Sequence, residues 1–361
     1  MKIIDYTETS KKFNIPEYIL NQAPQDKILF FDIETTGFAA KNTTLYLIGA
    51  LWYENHTVKI RQWFNEDGYS ETELLKDFHT FCKSFSALVH FNGSGFDLPY
   101  LNQKAGISGI SLDTINNLVQ IDIYKEIRSY KTLLGLDNMK QVSIEQYLGI
   151  HRTDTYTGKE LIKIYQRYVA RPDEKSEQYL LLHNHDDLLG MPLISTILNY
   201  KQFMEQLTIE SLKIQSDDHR LTISFLTTPA YSLPRRLTYT KNGIYINAFE
   251  NTALLQIPIT YTTLKHFFAN HKDYYYLPKE DMAIHKSVAA YVESSNKIKA
   301  SKDTCYIKQT GNFIPCTDSK CKETFRMELK SKESFLLLES FLSAHHEQQE
   351  NYIKKILSSL L

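Results

Sequence analysis

The sequence predicts an α/β fold, a mixed sheet covered by helices, followed by a smaller α+β C-terminal domain. Three observations carry this. Short apolar runs alternate with helical periodicity over the first 200 residues. Near residue 210 the pattern changes to alternating β-like segments. At 361 residues, the chain is also long for a single core. The expected division is an N-terminal extension at 1–25, a first domain at 26–206 and a second at 210–361.

Residues 28–33 (ILFFDI) read as a buried strand, and 44–53 and 56–64 follow as strands of a hairpin turning at Asn55-His56. Residues 70–85 switch to helical period, with Leu74, Phe78, Phe81 and Phe85 on one face and Ser70 with Glu73 placed for a capping box. Strand 86–91, a glycine-bearing loop, a helix through Leu101 and strand 117–123 come next. Helices are predicted at 139–148, 159–170 and 175–206. In the second domain, segments 220–227, 237–240, 243–248 and 252–260 alternate as strands, with a hairpin signal at Asn242-Gly243. Helices are predicted at 279–291, 331–344 and 346–360.

Hydrophobic content of 42% and charged content of 23% are those of an ordinary globular protein. The formal net charge is −1, so no global basic field marks a nucleic-acid binder. The charge is unevenly spread: residues 1–200 hold 20 basic against 25 acidic side chains, and residues 201–361 hold 21 against 17. An acidic part beside a basic part suits a metal site and an anionic substrate. Four cysteines are too few and too scattered for a disulfide framework, and Cys316 and Cys321 lack a second pair at zinc-finger spacing. The first 20 residues do not read as a signal peptide, and no apolar run is long enough to span a bilayer. The expectation is a cytoplasmic protein with no membrane partner.

Three acidic elements stand out. Asp32 and Glu34 end the first apolar strand in FDIETTG. Side chains two apart on a strand share a face, and two adjacent carboxylates need a cation or a proton. Hard divalent ions are their natural partners. Asp97 lies in HFNGSGFDLPYL, where it also suits a helix N-cap before Pro99. His183 and Asp187, in HNHDDLLGM, fall four apart and share a helix face. Asp186 points elsewhere, and His185 reads as a surface histidine.

Taken together, these residues resemble the DEDD family of nucleases, in the ribonuclease-H-like superfamily. FDIETTG looks like that family's first motif, the Asn92…Phe96-Asp97 segment its second, and His183 with Asp187 its third. The closest likeness is to the bacterial YprB-type branch, to which the segments at Gly149-Ile150-His151-Arg152 and Gly158-Lys159-Glu160 are also similar. It covers about residues 26–200.

The resemblance implies a ribonuclease-H-like fold and 3′–5′ hydrolysis of nucleic-acid ends, DNA or RNA, most readily single-stranded. Two Mg²⁺ or Mn²⁺ ions would be held by Asp32, Glu34, Asp97 and Asp187, with Asp32 bridging them. His183 would act as general base. Backbone amides of Thr35, Thr36 and Gly37 would meet the terminal nucleotide, and Asn92 would orient either a phosphate or its own loop. One departure is plain. The better-known branches place a His five residues before the last Asp or a Tyr four before it; here a His occupies the tyrosine spacing, and Leu182 stands five before. A non-catalytic binding module on a nuclease fold and an internally cutting nuclease remain as alternatives.

In the second domain, Arg235 and Arg236 follow Pro234. Lys297, Lys299, Lys302 and Lys308 cluster near Tyr291 and Tyr306, a mixture that suits single strands or simply a solvated basic face. The Tyr274–Tyr276 run reads as packing.

Overall fold

The computed structural model describes all residues except 10–12, 56, 154–155, 319–320 and 322, and the side chain of residue 231. The described chain divides into two compact units: residues 1–202 with 233–235, and residues 203–232 with 236–361.

The first unit holds β1 (Lys2–Glu8), α1 (Glu17–Leu20), β2 (Ile28–Thr35), β3 (Leu45–Glu54), β4 (Thr57–Phe64), α2 (Glu71–Phe81), β5 (Ala87–His90), α3 (Asp97–Ile107), α4 (Asp113–Asn117), β6 (Val119–Asp122), α5 (Ile123–Ile127), α6 (Gln141–Leu148), α7 (Gly158–Ala170) and α8 (Glu174–Ile194). Its six strands run in the order β1-β4-β3-β2-β5-β6. The pairs among β1 to β4 are antiparallel, while β5 is parallel to β2 and β6 to β5. This is the expected mixed sheet, and the fold is ribonuclease-H-like.

β3 and the first four residues of β2 are almost wholly apolar because both faces are covered. On one face, Leu29, Phe31 and Ile33 pack against Leu74, Leu75 and Phe78 of α2 and Tyr100 and Leu101 of α3. On the other, Tyr46, Leu47 and Phe64 pack against Leu161, Tyr165 and Tyr168 of α7 and Leu180 and Leu181 of α8.

Several expectations need correction. Residues 1–25 are not a bare extension: β1 pairs with β4 from Lys2↔Phe64 to Glu8↔Val58. As an edge strand it is mostly exposed, so its sequence carries no apolar run. The Ser70–Glu73 capping box does not form. The Ser70 hydroxyl instead donates to Asp67 (2.7 Å), whose carboxylate also accepts from the amides of Tyr69 and Ser70. Asp97 is the first residue of α3 rather than its cap, which is Phe96.

The single helix expected at 175–206 is broken. Pro192 lies inside α8, which ends at Ile194 and gives way to a short 3-10 turn before α9 (Leu198–Glu205). Proline disrupts the ladder, and the hydroxyls of Ser195 and Thr196 donate to the carbonyls of Pro192 and Leu193, competing with helical pairing.

The second unit adds β7 (Ile209–Ser216), β8 (Arg220–Thr227), β9 (Leu233–Lys241), β10 (Ile244–Glu250), β11 (Thr252–Pro258), β12 (Thr260–Phe267), β13 (Tyr274–Leu277), β14 (Met282–His285), α10 (Lys286–Ala289), β15 (Ile298–Lys299), β16 (Tyr306–Cys316), β17 (Ser334–Leu337), α11 (Leu338–Leu342) and α12 (His346–Leu360). The strands form sheets in the orders β7-β8-β11-β10-β9, β12-β16-β17 and β14-β13-β15. Asn242 and Gly243 turn the β9–β10 hairpin with φ of 53° and 78°, as a two-residue turn of this hand requires.

The helix expected at 279–291 is instead β14 and the four-residue α10, because Met282–His285 pair with Leu277–Tyr274 across a turn holding Asp281 at φ 51°. The helix expected at 331–344 begins as β17, paired with β16 through Ser334↔Cys316 to Leu337↔Phe313. Among the described residues, no helix is long and apolar enough to cross a membrane.

Candidate active site

β2 alternates to place its acids. Ile33 points into the core with α2 and α3, while Asp32 and Glu34 turn toward α8. The Nδ2 of buried Asn184, on α8, donates to Asp32 Oδ2 at 2.9 Å, and its Oδ1 accepts from Gln62 Nε2 at 2.9 Å. Gln62 Nε2 also donates to the Leu181 carbonyl at 2.9 Å. Gly49, beside Asp32 in the β2–β3 register, makes room for this chain: a Cβ there would lie 2.0 Å from Asn184 Oδ1.

One turn of α8 supplies the next groups. His183 Nε2 lies 3.6 Å from Glu34 Oε1 and 3.5 Å from Asp187 Oδ2. One ligand atom from each of Glu34, His183 and Asp187 falls within 4.8 Å of the other two, close enough to share one cation. The Tyr46 hydroxyl donates to Glu34 Oε2 at 3.2 Å. Asp186 faces away and accepts from the amide and hydroxyl of Thr153. His185 is not simply a surface residue; its ring sits edge-on to Tyr6 of β1, centroids 5.0 Å apart, because α8 passes over that edge strand.

Asp97 completes the acidic set from α3. With Asp32 it lines an open cleft of about 680 Å³ together with Phe38, Asn92 and Phe96. Asn92 is exposed there. Its backbone takes φ 62°, and its amide donates to Asp122 Oδ1 at 2.9 Å. Buried Asp122 also accepts from the amides of Ser94 and Lys125, so it holds the loop between β5 and α3 in shape.

The segment after β2 is more self-contained than expected. Thr36 donates its amide to the Thr44 carbonyl (2.9 Å) and accepts from the Thr44 amide, so its N–H is not offered to a ligand. The bulge at Glu34/Thr35 creates this local bridge. The Thr35 hydroxyl donates to the Gly37 carbonyl at 2.9 Å.

Burial sets the protonation of these groups. Asp32 is held well above the ordinary carboxylate range, by burial first and then by the charges of Asp187, Glu34 and Asp97. Glu34 is pushed up to about 7, again by burial first, with His183 acting in the opposite direction. Burial likewise raises Asp97 to about 7, against the opposing pull of the Asp97 and Ile33 backbone amides. Clustered acids with raised values are the condition a bound cation relieves.

Sequence reasoning missed several residues around this centre. Arg152 Nη1 donates to Asp187 Oδ1 at 2.7 Å and lies 3.3 Å from buried Glu145. Gln141 Nε2 donates to Asp187 Oδ1 at 3.2 Å and to Glu145 at 3.0 Å. Burial opposes the Arg152 charge, but Asp187 and Glu145 outweigh it and keep the guanidinium above its ordinary value. No spacing rule links residues 141, 145 and 152 to 187. Phe38, 90% exposed with its ring 5.7 Å from that of Phe96, had a signal in the sequence: an aromatic one residue beyond the FDIETTG motif.

The family described as RNase_H superfamily matches residues 29–199, the span that carries the six-stranded sheet from β2 onward and its covering helices. No curated protein matches the chain. Among solved structures, the family B DNA polymerase of Pyrobaculum calidifontis is 17% identical with a TM-score of 0.40, over 48% of this chain and 24% of the polymerase. Exonuclease I of E. coli, solved with a dT13 oligonucleotide, is 9% identical with a TM-score of 0.34, over 62% of this chain and 55% of the exonuclease. The chain thus spans about a quarter of the one and about half of the other.

Proposed function

We propose that the protein is a metal-dependent nuclease that hydrolyses phosphodiester bonds at nucleic-acid ends, acting 3′ to 5′. One observation carries the reading: Glu34, His183 and Asp187 bring ligand atoms within 4.8 Å of one another, and Asp32, two residues before Glu34, lines one cleft with Asp97. The carboxylate oxygens of this set suit Mg²⁺ or Mn²⁺, which leaves the imidazole free to act on water. Asp32, Glu34, Asp97 and Asp187 would hold two such ions. When bound, the ions would supply an acidified water and positive charge opposite the phosphodiester oxygens.

The chain's own groups do the rest. Asn184 fixes the Asp32 carboxylate, and Tyr46 fixes Glu34. Arg152 occupies Asp187 Oδ1 and leaves Oδ2 turned toward His183. His183 takes the proton from the attacking water through Nε2, which faces Glu34 Oε1 at 3.6 Å and Asp187 Oδ2 at 3.5 Å. Thr35, Gly37 and Asn92 border the path of the terminal nucleotide, and Phe38 offers a ring face to a base.

The Arg152–Asp187 ion pair favours one second reading, a binding module in which arginine has replaced a cation permanently. Purified protein with end-labelled single- and double-stranded DNA and RNA distinguishes them. Mg²⁺- or Mn²⁺-dependent shortening, abolished by EDTA and absent on circular substrate, is expected. Comparison of 5′- and 3′-labelled strands reads the polarity. Binding without turnover in either metal would replace the nuclease reading with the module.

A further inference from the structure

The second unit contains a concave surface with an unusual charge balance. A cavity of about 600 Å³ opens beside β13, lined among others by His271, Lys272, Lys286, Lys297, Lys299 and Tyr275, with no carboxylate in its lining. Four lysines therefore face one hollow in a chain whose net charge is −1. Like charges gathered in excess of their counter-charge repel, so the arrangement is complementary to an anion.

The four ammonium groups are not equivalent. Lys297 donates to the carbonyls of Ala289 and Val292 and sits 5.5 Å above the Tyr275 ring, which fixes one cation in the wall. Lys286 pairs with Asp273 at 2.5 Å. Lys272 and Lys299 have no acidic partner among the described residues and are exposed, so their charges face the hollow unneutralised. The basic run expected from sequence is thereby re-sorted. Lys308 pairs with Asp281 and does not line the cavity, while Lys272 and Lys286, distant in sequence, do.

The aromatic groups are sorted too. Tyr274 is stacked on Phe268, centroids 4.5 Å apart, and Tyr276 donates to Asp281, so both serve the fold. Tyr291 follows Ala290, which lines the cavity, and its side chain is 93% exposed. Lysines as point charges for phosphates, with an exposed ring one residue beyond the lining for stacking, are the two components of sequence-tolerant single-strand binding.

We propose that this hollow is a phosphate-binding site for single-stranded nucleic acid, separate from the acidic centre, with Lys272 and Lys299 meeting the backbone and Tyr291 stacking a base. An acidic peptide would satisfy the lysines but leave the ring unused, and for that reason nucleic acid is the ligand assigned.

The test is binding of the full chain to a fluorescent dT oligonucleotide in EDTA, where any turnover by the acidic centre is silent. Lys272→Gln/Lys299→Gln should raise Kd at least tenfold at low salt. It should also flatten the log Kd–log salt slope by about 1.4, at roughly 0.7 per phosphate contact for single strands. Tyr291→Ala should raise Kd with the slope unchanged. The charge-matched control Lys330→Gln/Lys332→Gln should change neither. Equal losses in control and test variants, or an unchanged slope in Lys272→Gln/Lys299→Gln, would overturn the assignment. So would oligoglutamate, or vesicles containing phosphatidylserine, binding through these lysines when dT does not. Because the readout needs no metal, it stands or falls independently of hydrolysis at Asp32, Glu34, Asp97 and Asp187.

Discussion

Arg152 Nη1 and Asp187 Oδ1 lie 2.7 Å apart, and the same guanidinium nitrogen is 3.3 Å from Glu145 Oε2. Glu145 is 1% exposed and Arg152 12%. Glu145 reaches this position because Gly190 carries no side chain; a Cβ there would lie 2.3 Å from Glu145 Oε1. One cation thus serves two acids, one structural and one in the proposed catalytic set.

Breaking this triad should separate its two tasks. Arg152→Met leaves Glu145 buried and unpaired, which typically costs about 3 kcal/mol. Restoring neutrality with Arg152→Met/Glu145→Gln should recover most of that stability. It should not restore hydrolysis, because Asp187 still lacks the group that orients it. Urea unfolding and initial rates on the four proteins of the cycle read both quantities. Full recovery of rate in the double variant would make Arg152 a purely structural residue.

The acids themselves make stability depend on pH. Glu34 and Asp97 titrate near 7 in the fold, above their unfolded values near 4. Between those limits the folded chain holds more protons than the unfolded one, so their contribution is full at low pH and is lost as pH rises through about 7. Metal-free protein should therefore lose stability from these groups between about pH 4 and 7. Glu34→Gln should flatten that fall, and Mg²⁺ should raise Tm most at the alkaline end. Calorimetry in EDTA across this range, with and without the substitution, checks it; an identical pH profile in Glu34→Gln would contradict the assigned shift.

Much of this architecture was legible because burial on both faces writes long apolar strands, as at 28–33, and because α7 and α12 carry strong amphipathic patterns. The partners of the acids were less legible. Asn184, adjacent to His183, looks like any polar helix residue until Gln62 and Asp32 close around it. Arg152 lies in a loop with no periodicity. Edge strands β1 and β7 were invisible for a different reason: half-exposed strands of mixed polarity carry no signal that propensity can read. In the second unit, β14 and β17 won over helical spacing because cross-strand pairing supplied partners that local sequence does not encode.

His183 tests the proposed chemistry directly. General-base assistance is typically worth 10²–10⁴-fold, so His183→Ala should lower kcat by about that factor. His183→Tyr should retain more activity than His183→Ala, since a phenol at this spacing can still orient water. His185→Ala, which removes the contact with Tyr6, should affect stability more than kcat. The three variants at saturating Mn²⁺ give the order; a crippled His185→Ala beside an active His183→Ala would exchange their roles.

The most local test is steric. Asp32 depends on Asn184, and Asn184 depends on the space left by Gly49, where a Cβ would stand 2.0 Å from Asn184 Oδ1 and 2.6 Å from the Leu188 side chain. Asn184 is fully buried and bonded on both ends of its amide, so it cannot swing away freely. Gly49→Ala should therefore displace it, leave the Gln62 amide short of an acceptor and release Asp32 from its donor. Overpacking of this kind typically costs 1–3 kcal/mol. Asn184→Ala in the Gly49→Ala background removes the clash with Asn184 and leaves only that with Leu188, so stability should partly return while hydrolysis stays low, because Asp32 remains unheld. Tm and kcat measured on the two single variants and the double decide the matter. If Asn184→Ala alone hydrolyses at the wild-type rate, Asn184 supports the fold and not the carboxylate.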